Sequence, residues 1–138
     1  MICSIMGKAI GCLKTIFSFI DKFKISKTIK ENHDLDIIIS IKQQYYGIVN
    51  DIPQCLWDRT ATPLTPVTNQ YIKKYLGVVE NLLMLKKKNI IKDNDWEKWI
   101  EQIRNDTIPF ANYFISFFKH GHANQELTKF FRDNVLNY

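Results

Sequence analysis

Apolar residues recur at steps of three and four along most of this chain, and this spacing constrains its fold more than any other feature. It places apolar side chains on one face of an α-helix. One run, Ile37 to Ile39, could instead be a buried strand, but no second strand-like run exists to pair with it. Five Gly and four Pro in 138 residues also favour helices over a turn-rich sandwich. The sequence therefore predicts an all-α fold, a bundle of about five helices.

The first break in this pattern separates an N-terminal arm from the body of the protein. The stretch from Ser26 to His33 is polar and charged, and Asp34 behind it can cap a new helix. We therefore expect an arm over residues 1–30 and a helical bundle domain over residues 31–138.

Prolines and caps predict the remaining helix ends. The helix from Asp34 ends at Pro53, and residues 53–66 form a loop that Leu56 and Trp57 attach to the core. Thr65 followed by Pro66 predicts the start of a helix that runs to Lys88.

Asn94 and Glu97 resemble a capping box at the start of the next helix, which should kink or break near 105–108, before Pro109. The aromatic helix after it stops at Gly121, and a last helix covers residues 124–136.

The arm is predicted to be a basic amphipathic helix. It carries six Lys against Asp21 alone, and its apolar residues share one face. Such a helix either packs on the bundle or lies on an anionic membrane surface. Because lysines interrupt its apolar residues, we expect neither a conventional membrane span nor a signal peptide. The candidate membrane-binding or partner-binding residues are Ile5, Lys8, Leu13, Lys14, Ile16, Phe17, Ile20 and Lys22.

Aromatic residues concentrate in the second half of the chain. Most must lie in the core, but together they exceed what one side of a thin bundle normally buries. We therefore expect some of them to form a partner groove or a self-association patch. The candidate interface residues are Trp99, Phe114, Phe117 and Phe118.

No motif in the sequence indicates catalysis, a metal or a cofactor. Only His120 and His122 are close in sequence among the soft metal ligands, and they coincide with a helix end. No glycine-rich phosphate loop is present, and Arg59, Arg104 and Arg132 lack the nearby histidine of small helical RNases. We therefore expect a protein that is not an enzyme and holds neither a metal nor a cofactor.

The charge distribution favours a solvated lysine face or an anionic partner. The formal charge is +5, and it is concentrated in residues 1–30 and 71–92, each with six Lys. Phosphate contacts by these lysines alone would be nonspecific, so nucleic acid is not the expected partner. Three cysteines without a CxxC pair indicate a reducing compartment. We expect a cytoplasmic location, either free or peripheral to the inner face of a membrane.

Residues 65–138 resemble a helical domain of unknown function found in small bacterial and phage proteins. The likeness lies in TPVTNQYIKKYLGVVENLLMLKKKNIIKDNDWEKWIEQIR, where a helix with the central Glu80 precedes an aliphatic turn and a tryptophan helix. The resemblance implies a helical fold and no activity.

Two functions remain open from the sequence. The first is a non-enzymatic protein that associates with a membrane or with other proteins through helices, as an effector or accessory component of a microbial or viral conflict system. The alternative is a soluble helical subunit whose N-terminal helix docks into a larger protein complex. Both imply a protein partner or self-association.

Overall fold

A computed structural model describes residues 22–121 and 123–138, with side chains from residue 29 onward. The described residues form only helices, turns and connecting loops, which confirms the predicted all-α bundle of about five helices. The helices are α1 (Lys22–Val49), α2 (Gln54–Trp57), α3 (Pro66–Lys87), α4 (Asp93–Thr107), α5 (Ala111–Lys119) and α6 (Gln125–Phe131). A 3₁₀-helix, Ile108–Phe110, joins α4 to α5, and a π-helical turn, Arg132–Leu136, follows α6.

Helix α1 corrects the expected boundary between arm and body. It continues without interruption through the stretch from Ser26 to His33, and Asp34 lies inside it rather than at its start. This stretch contains neither Gly nor Pro, and its lysines and glutamate are good helix formers, so polarity alone does not end the helix. The Ile37 to Ile39 run is helical, as preferred.

The chain divides into two compact units within α1, residues 1–43 and residues 44–138. In the second unit, α3 packs against α5, and α4 packs against both the 3₁₀-helix and the π-helical turn. Its large and fully buried side chains are Tyr45, Leu56, Ile72, Tyr75, Val79, Leu82, Ile91, Ile103, Phe114, Phe117, Phe131 and Val135. Aromatic and aliphatic side chains from all six helices therefore build its core.

Most helix ends of the second unit follow the predicted signals. Thr65 is extended and precedes Pro66, the first residue of α3. Gly121 ends α5 with φ +70°, a left-handed conformation that glycine adopts at little cost. The Asn124 side chain accepts a 2.8 Å hydrogen bond from the Leu127 amide at the start of α6. Helix α4 begins at Asp93, one residue before the expected cap Asn94.

Candidate binding cleft

The loop between α2 and α3 is held in a defined shape by its own hydrogen bonds. The amides of Thr60 and Ala61 both donate to the Cys55 carbonyl at 3.0 Å, and the Thr68 hydroxyl donates to the Thr62 carbonyl at 3.1 Å. Arg59 takes a left-handed conformation with φ +56°. A non-glycine residue there costs about 1–2 kcal/mol, which the surrounding bonds must offset.

A second element, the corner between α4 and α5, faces this loop. Pro109 cannot donate the hydrogen bond that would continue α4, so the chain tightens into the 3₁₀-helix Ile108–Phe110 before α5 begins. The Tyr113 hydroxyl on α5 then donates a 2.8 Å hydrogen bond to the Ala61 carbonyl, across 52 residues of sequence. This bond joins the corner to the loop.

A cleft of ≈ 430 Å³ lies between the loop and the corner. That volume falls within the ordinary range of small binding sites. Its lining residues are Arg59 and Pro63 from the loop, and Ile108, Pro109, Phe110, Ala111, Asn112 and Tyr113 from the corner and α5. Most of its lining residues are thus apolar or aromatic, but polar groups, among them Arg59 and Asn112, supply at least as much of its exposed surface as apolar groups do.

Two large apolar side chains stay exposed beside this cleft. Ile108, which lines it, is 55% exposed because the 3₁₀ turn directs it away from the core. Trp57 is 53% exposed, and its ring meets the Phe110 ring edge-on at 4.7 Å. Leu56 attaches α2 to the core as predicted, whereas Trp57 is only partly covered. Ile108 and Trp57 together form an apolar surface at the cleft that is exposed to water in the isolated chain.

A chain of buried hydrogen bonds lies elsewhere in the same unit. Tyr45 donates to Oδ2 of Asp106 at 2.6 Å, so its hydroxyl oxygen must accept from the Tyr75 hydroxyl, 2.7 Å away. The Thr107 hydroxyl donates to Tyr75 at 3.3 Å, and the Gln102 amide donates to the same Asp106 oxygen at 2.8 Å. The hydrogen bonds therefore run in one direction, from Thr107 through Tyr75 and Tyr45 to the Asp106 carboxylate, which also accepts from Gln102.

Burial keeps these tyrosines protonated. It raises the pKa of Tyr45 far above the ordinary tyrosine value, and the neighbouring Tyr75 and the hydrogen bond to Asp106 raise it further. Burial also raises the pKa of Tyr75. Because both side chains are fully buried, their hydroxyls order the core and are not presented to a substrate.

The four candidate interface rings lie in the core. Trp99, Phe114, Phe117 and Phe118 are all buried. The Phe114 ring stacks on Phe131 with ring centroids 6.1 Å apart, and the Phe118 ring is tilted against Phe131 with centroids 5.1 Å apart. The expectation that some of these rings form a partner groove or a self-association patch is corrected, because all four are buried. Phe131 on α6 covers Phe114 and Phe118, and Tyr45 on α1 packs edge-on against Trp99. The exposed apolar side chains beside the cleft are instead Trp57 and Ile108, which the sequence pattern did not indicate.

The other candidate residues are distributed differently. Ile5, Lys8, Leu13, Lys14, Ile16, Phe17 and Ile20 lie outside the described residues, and Lys22 is described only as the first residue of α1. His33 is exposed on α1, and His122 is outside the described residues. The His120 ring donates from Nδ1 to the Ser116 carbonyl at 2.7 Å, directly after α5.

Part of the basic stretch over residues 71–92 is paired with acids. Lys86 forms an ion pair with Asp93, and Lys87 forms one with Glu126. The Lys86 ammonium lowers the pKa of the Asp93 carboxyl through a hydrogen bond and its charge. These pairs connect the end of α3 to the starts of α4 and α6.

Within residues 22–121 and 123–138, no three His, Cys, Asp or Glu side chains are grouped so as to hold a metal ion. None of the helices in this part of the chain combines the length and apolar character needed to cross a membrane. Comparison of the chain with models of known protein families found no match, and comparison with characterised proteins and solved structures found none either.

Proposed function

We propose that this chain is a non-enzymatic interaction protein and that the cleft beside Trp57 and Ile108 is its partner-binding site. The observation that carries the proposal is the exposure of both side chains, each more than half accessible, at one cleft whose surface combines apolar and polar groups. Covering apolar surface is favourable by about 25 cal/mol per Å². A partner that covers this surface therefore gains affinity from it.

The residue types of the cleft match those that dominate protein interfaces. Trp and Arg carry a disproportionate share of binding energy, and both are exposed here, Trp57 beside the cleft and Arg59 in its lining. The hydrogen-bonded loop limits the ordering cost of binding, since its shape is fixed beforehand. The expected occupant is a partner-protein segment with an apolar side chain for Ile108 and Trp57 and a carboxylate for Arg59.

Peptide display tests this proposal even while the partner is unidentified. A random peptide library would be selected on the full chain, and the dissociation constants of the enriched peptides would be measured. We expect enrichment of Glu or Asp beside large apolar residues, with binding weakened at least about tenfold in Ile108→Ser and in Arg59→Glu. Met84→Ser, at an exposed apolar residue of α3 outside the cleft, is the matched control and should bind as tightly as wild type.

The proposal fails if no peptide is enriched, or if the enriched peptides bind the Ile108→Ser variant as tightly as wild type. The indole signal of Trp57 in NMR spectra, assigned with a Trp57→Phe variant, provides a second readout. Its resonance should shift on peptide binding, because the indole borders the cleft through Phe110. Membrane association through residues 1–27 remains part of the proposed function, supported by the lysine and apolar pattern of that segment.

A further inference from the structure

Helix α1 exposes a second apolar surface, in the first compact unit. Leu35 is 55% exposed and Ile39 is 40% exposed. They are four residues apart, and each residue turns a helix by about 100°, so they lie on the same side of α1. Lys42 continues this line three residues after Ile39, and all three share a sector of about 60°. Leu35 and Ile39 thus form a small apolar surface on an exposed helix face.

The residues around Leu35 and Ile39 complement themselves when a second copy approaches antiparallel. Steps of three, four and three relate Asn32, Leu35, Ile39 and Lys42, the spacing of helices that pack side by side. A twofold axis near residue 37 places Leu35 of one copy opposite Ile39 of the other, in both directions. The same axis brings Lys42 opposite the exposed Asn32 and beside the exposed Glu31 of the other copy.

A parallel arrangement does not share this complementarity. It would place Lys42 beside its own copy, and like charges in direct contact oppose association. An unrelated partner helix has no reason to match an acid at one end and a lysine at the other around a Leu and Ile pair. A second copy of this chain supplies that match by symmetry alone.

We propose that the α1 surface formed by Glu31, Asn32, Leu35, Ile39 and Lys42 is an antiparallel self-association site. Its contact spans roughly 15 Å of helix, because each residue adds about 1.5 Å. So small a surface belongs with weak and transient interfaces. The inference does not depend on the cleft, since the cleft lies in the second unit and is lined by other residues.

Sedimentation equilibrium of the full chain, from about 1 µM to about 1 mM, measures this association directly. We expect a reversible dimer that dissociates on dilution. Leu35→Gln with Ile39→Gln should remain monomeric over the same range, and glutamine maintains helix propensity. Val67→Gln, at an exposed apolar residue of α3, is the control and should dimerise like wild type. Circular dichroism checks that all variants are equally helical.

Charge exchange tests the antiparallel geometry. Lys42→Glu should weaken the dimer at least about threefold, because it places an acid beside Glu31 of the other copy. Adding Glu31→Lys in the same chain restores opposite charges and should recover the dimer. A monomer at all concentrations overturns the proposal, as does a dimer that the Leu35 and Ile39 substitutions leave unchanged. Failure of the charge exchange to restore association overturns the antiparallel arrangement.

Discussion

Tyr45 on α1 donates a 2.6 Å hydrogen bond to Oδ2 of Asp106 on α4, across 61 residues of sequence. Tyr45 is fully buried, and its ring also lies edge-on to Trp99, with centroids 5.2 Å apart. One side chain thus combines a charge-assisted hydrogen bond with aromatic packing, and it attaches the end of α1 within the second unit.

Replacing Tyr45 by Phe should lower the free energy of unfolding by about 1–3 kcal/mol. The ring remains, but the Asp106 carboxylate and the Tyr75 hydroxyl each lose a buried partner. Urea denaturation measures the change. Tyr46→Phe, at an exposed tyrosine next in sequence, is the matched control and should stay within about 0.5 kcal/mol of wild type. Equal stability of the two variants would show that the hydrogen bonds of Tyr45 make no net contribution to the free energy of unfolding.

The opposite result is expected at Tyr71. Its hydroxyl is buried and has no hydrogen-bond partner among the described residues. Removing an unsatisfied buried polar group avoids its desolvation penalty, so Tyr71→Phe should raise the free energy of unfolding by about 1 kcal/mol. The same urea titration detects this gain. A loss of more than about 1 kcal/mol would mean that the hydroxyl is bonded in solution.

The buried tyrosines also predict how stability depends on pH. Burial raises the pKa of Tyr45, Tyr71 and Tyr75 in the folded protein, so all three stay protonated at pH values where the unfolded chain ionises. Below the ordinary tyrosine pKa of about 10, the three hydroxyls keep their protons in the folded and in the unfolded protein alike, so stability does not depend on their ionisation. Above it, the unfolded state binds fewer protons and the folded state loses stability as the pH rises.

Each buried tyrosine should contribute up to about 1.4 kcal/mol of lost stability per pH unit above pH 10, hence roughly 4 kcal/mol for three. Urea titrations between about pH 8 and about pH 11 measure this slope. The Tyr71→Phe variant should show a slope smaller by about one third. An identical slope in wild type and Tyr71→Phe would contradict the expectation.

Helical periodicity and caps predicted most of the second unit because these signals are local. Thr65 with Pro66, the break at Pro109 and the stop at Gly121 each act within one helix turn. The continuity of α1 was not predicted, because a polar stretch was interpreted as a break although no residue in it disfavours a helix.

The cleft was missed for a different reason. It forms only when the loop after α2 meets the corner at Pro109, and the Tyr113 to Ala61 hydrogen bond that joins them spans 52 residues. Periodicity carries no signal for such an approach. The burial of Phe114 and Phe118 likewise depends on Phe131, which reaches them from α6. Pro63 and Pro109, which both line the cleft, were sequence signals near it, since proline fixes the backbone and does not continue a helix.

The arm provides the last prediction, which is that residues 1–27 bind anionic bilayers as an in-plane helix. Its apolar face lies opposite Lys8, Lys14, Lys22 and Lys24 in the sequence pattern. Each lysine near an anionic surface contributes about 1 kcal/mol, so binding should be strong at low salt and weaken steeply as salt screens the charges.

Vesicle titrations separate this membrane role from a helix that packs on protein, because both roles produce the same apolar spacing. The full chain and a Lys8→Glu, Lys14→Glu variant would be titrated with neutral and with anionic vesicles at low and high salt. Wild type should bind only the anionic vesicles, and the variant should bind much more weakly, since two attractions become two repulsions. If wild type does not bind anionic vesicles at low salt, or if the variant binds equally well, the arm is a helix that packs on the body or docks into a protein partner, and the soluble-subunit alternative is preferred.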